Sequence, residues 1–138
     1  MDSGVIKYLI DANAVRELSI EVLQNKKNNN RILTVIQEVK DELPNIQHKL
    51  DELNSEALSP EAFSMMKSIL MKPVVRAVMD YPQNKGAADV ALLAYALTAD
   101  VNGMFKDKVI IVTNDVGLQD AAGELDIDYI STEEFMQI

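Results

Sequence analysis

Short apolar runs alternate with stretches of helical spacing along this chain. Residues 5–10, Val-Ile-Lys-Tyr-Leu-Ile, are rich in β-branched and large apolar side chains and stop at Asp11, the pattern of a buried parallel strand. Val15, Leu18, Val22 and Leu23 then recur at helical spacing across residues 14–25, and residues 26–30 close that helix. Ile32-Leu33-Thr34 predicts a second short strand, after which Val35, Ile36, Val39 and Leu43 mark one face of a helix stopped by Pro44. Residues 45–58 predict a polar amphipathic helix around Ile46, Leu50 and Leu53. Ser59 is a candidate N-cap with Pro60 at the first helical position, and that helix runs to Leu70 ahead of Pro73.

Residues 81–85 are turn-like, and the Ala-rich stretch 87–99, with Leu92, Leu93, Ala96 and Leu97, predicts a strong helix. Val109-Ile110-Ile111-Val112 is the clearest strand, four β-formers in a row before Thr113-Asn114-Asp115. A short helix at 117–125, an edge strand at 128–131 and a helical turn at 132–135 complete the series. Strands alternating with helices predict an α/β fold, a three-layer α/β/α sandwich around a mainly parallel sheet, whose binding crevice lies at the carboxyl ends of the strands.

The 138 residues fit one domain, 1–138, with an ordinary globular composition of 48% hydrophobic and 25% charged residues. There is no cysteine, which removes disulfides, thiolate metal sites and a Cys nucleophile, and makes a cytoplasmic setting the default expectation. No apolar run approaches a membrane span, so no membrane association is expected. The net charge of −9 argues against tight, nonspecific nucleic-acid binding. Residues 111–138 carry seven acids and no Lys or Arg, whereas Lys67, Lys72, Arg76 and Lys85 form a basic strip. Such a strip is ordinarily a solvated helix face; Arg76 and Lys85 are its candidate contacts for any polyanionic ligand.

Both of the clearest strands run into an aspartate, Asp11 and Asp115, and neighbouring parallel strands would set these side by side. Each could equally be a plain helix cap. Asp89 opens the Ala-rich helix on the side of its core stripe, and Glu38 lies at the edge of the second helix's apolar face, while Asp41 and Glu42 look outward. Four carboxylates converging at one sheet edge repel one another unless a divalent cation neutralises them. Oxygen ligands alone select hard ions, Mg²⁺ or Mn²⁺, and disfavour zinc. A water on such an ion can hydrolyse a phosphodiester. His48 sits in a polar stretch and reads as exposed, Asp120 as an exposed helix residue, and Met65, Met66 and Met71 as core or interface filling. The five glycines are scattered, so no phosphate-binding P-loop exists.

Leu9-Ile10-Asp11-Ala12-Asn13, Val35-Ile36-Gln37-Glu38-Val39, the run from Ala88-Asp89 to Tyr95-Ala96, and Val112-Thr113-Asn114-Asp115 together resemble the ordered acidic motifs of PIN-domain ribonucleases. The resemblance covers residues 6–131. It implies a PIN fold and metal-dependent endoribonuclease activity, with Asp11, Glu38, Asp89 and Asp115 as both catalytic and metal-holding residues for Mg²⁺ or Mn²⁺. It further implies that Asn13 supports the metal shell from the first loop, that Thr113 fixes the Asp115 carboxylate, that Asn114 reaches a metal water, and that Asp120 is an outer acid if not merely exposed. Glu38 to Glu42 and Leu118 to Leu125 are similar to the PIN domain that trims small-subunit ribosomal RNA, although the zinc ribbon usual there would need cysteines. The toxin branch, small domains paired with an antitoxin, is the other branch implied. RNA, an antitoxin or a ribosome-related protein, and a homodimer are the partners expected.

Two other classes compete. A catalytically inactive PIN-like scaffold acting as a protein-interaction module would account for the acidic end. A receiver-like phosphoacceptor domain would need an acid pair after the first strand and a lysine after a late one, and Val112-Thr113-Asn114-Asp115 supplies no such lysine.

Overall fold

A computed structural model describes residues 5–28, 30–43, 45–73, 86–102 and 108–138, with backbone only at 86, 87 and 100–102. In chain order its elements are β1 (Ile6–Ile10), α1 (Ala12–Glu17), α2 (Ile20–Lys26), β2 (Arg31–Ile36), α3 (Gln37–Lys40), α4 (Gln47–Leu50), β3 (Asn54–Glu56), α5 (Pro60–Leu70), α6 (Gly86–Asn102), β4 (Lys108–Val112), α7 (Val116–Glu124), β5 (Asp128–Ile130) and α8 (Thr132–Met136). The strands form one sheet in the order β3-β2-β1-β4-β5, and every pairing is parallel.

Alternate side chains of β1 show why helices cover both faces. Tyr8 packs edge-on against Phe135 of α8, with ring centroids 5.3 Å apart, while the neighbouring Lys7 reaches Tyr95 of α6 on the other face. The fold is therefore an α/β/α sandwich, as the alternation of elements predicts. Leu9, Ile10, Ile111 and Val112 are fully buried at its centre and belong to one continuous core. Within α6, Val90 to Ala94 are all buried, because the helix lies between α5 and the sheet. A helix covered on nearly all sides needs no polar face, hence its Ala-rich, evenly apolar sequence.

Three predicted elements differ from the observed ones. The single helix over 14–25 is two helices, broken at Leu18 and Ser19; the Ser19 hydroxyl accepts the Val22 N–H at 3.2 Å and starts α2, and the break keeps both Leu18 and Leu23 buried. Val35 and Ile36 belong to β2, where both are fully buried between β1 and β3, so the second helix shrinks to Gln37–Lys40. The helix predicted over 45–58 is only Gln47–Leu50, followed by the edge strand β3. Asn54-Ser55-Glu56 has no apolar signal; its ladder to Thr34, Val35 and Ile36 makes it a strand. Ser59 caps α5 at Ala62 N and Pro60 opens it, as read from the sequence. Met65 and Met66 pack partly against the core, but Met71 is exposed. Lys67 and Lys72 are exposed as a solvated face would have them, and Arg76 and Lys85 lie outside the described residues.

Candidate metal centre

Ile10 pairs with Val112, so the first residues past the two strand ends are neighbours. Asp11 N donates to the Val112 carbonyl at 3.2 Å, one step beyond the ladder. The Asp11 side chain is 5% exposed. Its Oδ1 accepts the Ala14 N–H at 2.7 Å, capping α1, and its Oδ2 accepts the hydroxyl of Thr113. Asp115 caps α7 by accepting the Leu118 N–H at 3.2 Å. Both aspartates thus cap helices, and capping places them at one sheet edge.

Thr113 joins the two, though not as expected. Its hydroxyl hydrogen goes to the Asp11 carboxylate, and its oxygen accepts the backbone N–H of Asp115 at 3.0 Å. Thr113 therefore fixes the carboxylate of Asp11 and the loop of Asp115, because parallel register sets it beside Asp11. Gln119 holds the Thr113 carbonyl at 2.8 Å.

At this edge a cleft of about 220 Å³ is lined by Asp11, Asp89, Asp115 and Glu42, with Asn13 and Arg16 among its polar walls and Val39 and Leu92 among its apolar ones. Four carboxylates thus share one concavity at the carboxyl ends of β1 and β4, the position where open α/β sheets bind ligands. Burial raises the pKa of Asp11; the Thr113 and Ala14 hydrogen bonds pull it down, and the charges of Asp115 and Glu17 push it up, leaving it raised overall.

Glu38 does not line the cleft, whereas Glu42, expected to look outward, does. Helix α3 is a single turn, and the chain tightens after it, with Glu42 N donating to the Val39 carbonyl at 3.0 Å. Glu38 is half-buried, and its Oε1 lies buried with no hydrogen-bond partner among the described residues. Asn13 stands in the first turn of α1, not in a loop, and its Oδ1 accepts from Arg16 at 2.8 Å. Asn114 is not among the residues that line the cleft: its Nδ2 donates to Glu17 Oε2 and Thr132 Oγ1, each at 2.7 Å, and its Oδ1 accepts the Thr132 N–H at 3.0 Å. Asp120 and His48 are exposed.

Arg16, Glu17 and Thr132 have no assigned role in the sequence pattern, and Glu42 was expected to face outward. Arg16 and Glu42 carried a spacing signal, standing three residues from Asn13 and four from Glu38 on helical stretches. Glu17 and Thr132 carried none, since they meet only through the fold.

No family model matches the chain, and no curated protein matches it.

The donor chemistry of the cleft suits a hard cation, because its polar walls offer carboxylate and amide oxygens and the chain has no cysteine. Among the described residues, no three acids stand close enough to ligate one ion, so the expected set of four does not form a closed cage. Mg²⁺ does not require one. It keeps several waters and is commonly held by one or two carboxylates together with substrate phosphate.

Proposed function

We propose that this chain is an Mg²⁺- or Mn²⁺-dependent endoribonuclease of the PIN type that hydrolyses RNA phosphodiester bonds in the Asp11 cleft. The observation that carries the reading is the gathering of Asp11, Asp89, Asp115 and Glu42 around one cavity at the carboxyl edge of the sheet. Asp11 is buried with the charge of Asp115 acting on it, and groups held against such a cost concentrate at functional sites. The ordered acidic motifs of the sequence support the same reading.

In this account one or two of the cleft carboxylates, Asp11 first among them, would hold the cation together with waters and substrate phosphate, while Asp89, Asp115 and Glu42 supply the rest of the acidic wall. When bound, the cation neutralises the carboxylates, lowers the pKa of a water and offsets charge on the phosphoryl oxygens. The chain's own work is orientation. Thr113 and the Ala14 N–H hold the two Asp11 oxygens in fixed directions and favour the ionised form that a cation needs. Hydrolysis adds water across phosphorus: a new P–O bond forms, the bond to one ribose oxygen breaks, and that oxygen leaves with a proton.

The −9 charge makes RNA binding weak and metal-dependent in this reading, so target choice falls to a partner or a structured RNA. An antitoxin or a ribosome-related protein, a homodimer and a cytoplasmic setting belong to the same proposal. No described helix is long and apolar enough to cross a membrane.

A competing scaffold reading draws on the spread of the acids, none of which meets two others at ligand distance among the described residues. The two separate in one assay. With Mn²⁺ the protein is expected to cleave single-stranded RNA, EDTA is expected to stop it, and Asp11→Asn or Asp89→Asn to reduce the rate more than about 100-fold, beyond what supporting residues of metal sites cost. A broad RNA panel with no metal-stimulated cleavage would establish the scaffold instead.

A further inference from the structure

We propose that Arg16 is the phosphate anchor of the cleft, binding nonbridging oxygens of the RNA strand beside the acidic wall; this rests on the ribonuclease reading above. Among the described residues that line the cavity Arg16 is the one cation, beside four carboxylates. Its guanidinium lies at the exposed surface and is oriented by two hydrogen bonds. Nη1 donates to Asn13 Oδ1 at 2.8 Å and Nη2 to the backbone carbonyl of Glu42 at 2.9 Å, so the group spans from α1 to the end of the α3 segment.

Both of these acceptors are uncharged. The bonds therefore orient the guanidinium without cancelling its charge, and a guanidinium carries more N–H donors than two bonds consume. A planar fork held this way matches two oxygens of one phosphate, which a lysine cannot do. The position also answers a physical difficulty. Four acids repel a polyanion, and a cation in the acidic wall attracts only the phosphate it touches; a positive lip supplies a second point of attachment. Lys49 contributes to the same arrangement from below, donating to the Val15 and Arg16 carbonyls at 3.2 and 2.9 Å and closing the end of α1.

The ordinary alternative is that Arg16 only braces α1 against the α3 segment. A brace changes melting temperature; a phosphate anchor also changes the salt dependence of RNA binding. The test measures binding of a fluorescent single-stranded oligonucleotide across a salt series, with Ca²⁺ replacing Mn²⁺ to suppress turnover, and steady-state cleavage with Mn²⁺. Arg16→Gln is expected to bind about tenfold more weakly. The slope of log affinity against log salt is expected to fall by about 0.7, the value of one lost contact on a single strand. In cleavage the loss is expected mainly in KM, while the Mn²⁺-induced rise in melting temperature is retained.

Arg16→Lys keeps the charge and loses the fork, so it is expected to keep the slope and lose part of the affinity, and it serves if Arg16→Gln does not fold. Wild-type affinity and slope in Arg16→Gln, or a slope lowered as much by Arg16→Lys as by Arg16→Gln, overturns the anchor while leaving the nuclease standing. A wild-type protein without metal-stimulated cleavage overturns both.

Discussion

Strand β1 and helix α6 meet twice, and the two meetings are opposite in character. Near the start of β1, Lys7 donates to Glu56 at 3.0 Å and to Tyr95 at 2.8 Å, and Tyr95 donates to the other Glu56 oxygen at 2.6 Å. At the end of the same strand, Asp11 shares a cleft with Asp89, from the first turn of the same helix, and with Asp115 and Glu42. Lys7, Leu9 and Asp11 are alternate residues on one face of the strand. The first cluster joins opposite charges through a tyrosine, and burial together with the Glu56 bond pushes that tyrosine's pKa up to about 12. Burial pulls Lys7 down, but its bonds to Tyr95 and Glu56 outweigh it and the lysine is held raised. Every charge there has its partner. The second cluster gathers carboxylates, two of which also cap helices, and there burial and the neighbouring acid charges leave Asp11 raised.

The contrast separates the two clusters: Lys7, Tyr95 and Glu56 fasten the edge strand β3 to the centre of the sheet, and the Asp11 cleft is where the proposed cation would bind. Substitutions in either cluster test this division. Thr113→Val is expected to have the largest effect of the three considered next, lowering metal-dependent cleavage by about 10–100-fold, as loss of a group that orients a metal ligand does. Because the lost bond is one that holds the Asp11 pKa down, the acid limb of the rate–pH profile should move to higher pH. An unchanged rate and profile would detach Thr113 from the site.

Tyr95→Phe removes a hydroxyl that serves both Lys7 and Glu56 and is expected to destabilise the fold by about 1–3 kcal/mol in denaturant titration, with cleavage per folded molecule unaltered. Lost cleavage at full stability would place the triad with the site and dissolve the contrast. The smallest effect has the opposite sign. The folded-state pKa of Asp11 stands above the ordinary aspartate value of 3.8, so the folded chain holds this proton more tightly than the unfolded one. The associated stability is fully present below pH 3.8 and is lost as pH rises through the folded pKa. Asp11→Asn, which can still cap α1, should therefore be slightly more stable than the wild type in metal-free buffer at neutral pH. The difference should shrink toward pH 4, as thermal melts at a series of pH values will read. A variant less stable at neutral pH would mean that the ionised carboxylate supports the fold.

The sheet centre was readable from the chain because burial there is two-sided. Runs such as Tyr8-Leu9-Ile10 and Val109 to Val112 have no polar face to confuse with a helix, and each ends in an aspartate that the register brings to one edge. Strand β3 was not readable. Asn54-Ser55-Glu56 owes its conformation to pairing with β2 and to Lys7, which lies 49 residues away from Glu56. The same kind of long-range cause hid Glu42. Helical spacing from Val35 to Leu43 assigns Glu38 to the inner edge, but Val35 and Ile36 are strand, and the single turn that follows carries Glu42 to the cleft. Asp11, Asp89 and Asp115 were legible because each sits at an element's start, where helix ends favour carboxylates. Asn114, which follows the strand as a site residue would, ties Glu17 to the start of α8 through contacts that the sequence does not announce.

The central claim is that the Asp11 cleft is completed by a divalent cation, and a Mn²⁺ titration followed by melting temperature tests it most directly. An ion that binds only the folded chain stabilises it by mass action, about 2.7 kcal/mol at a hundredfold excess over Kd. The wild type is expected to show that rise and saturate, while Asp11→Asn and Asp89→Asn stay flat. A wild type that does not respond, or variants that respond equally, would contradict the account.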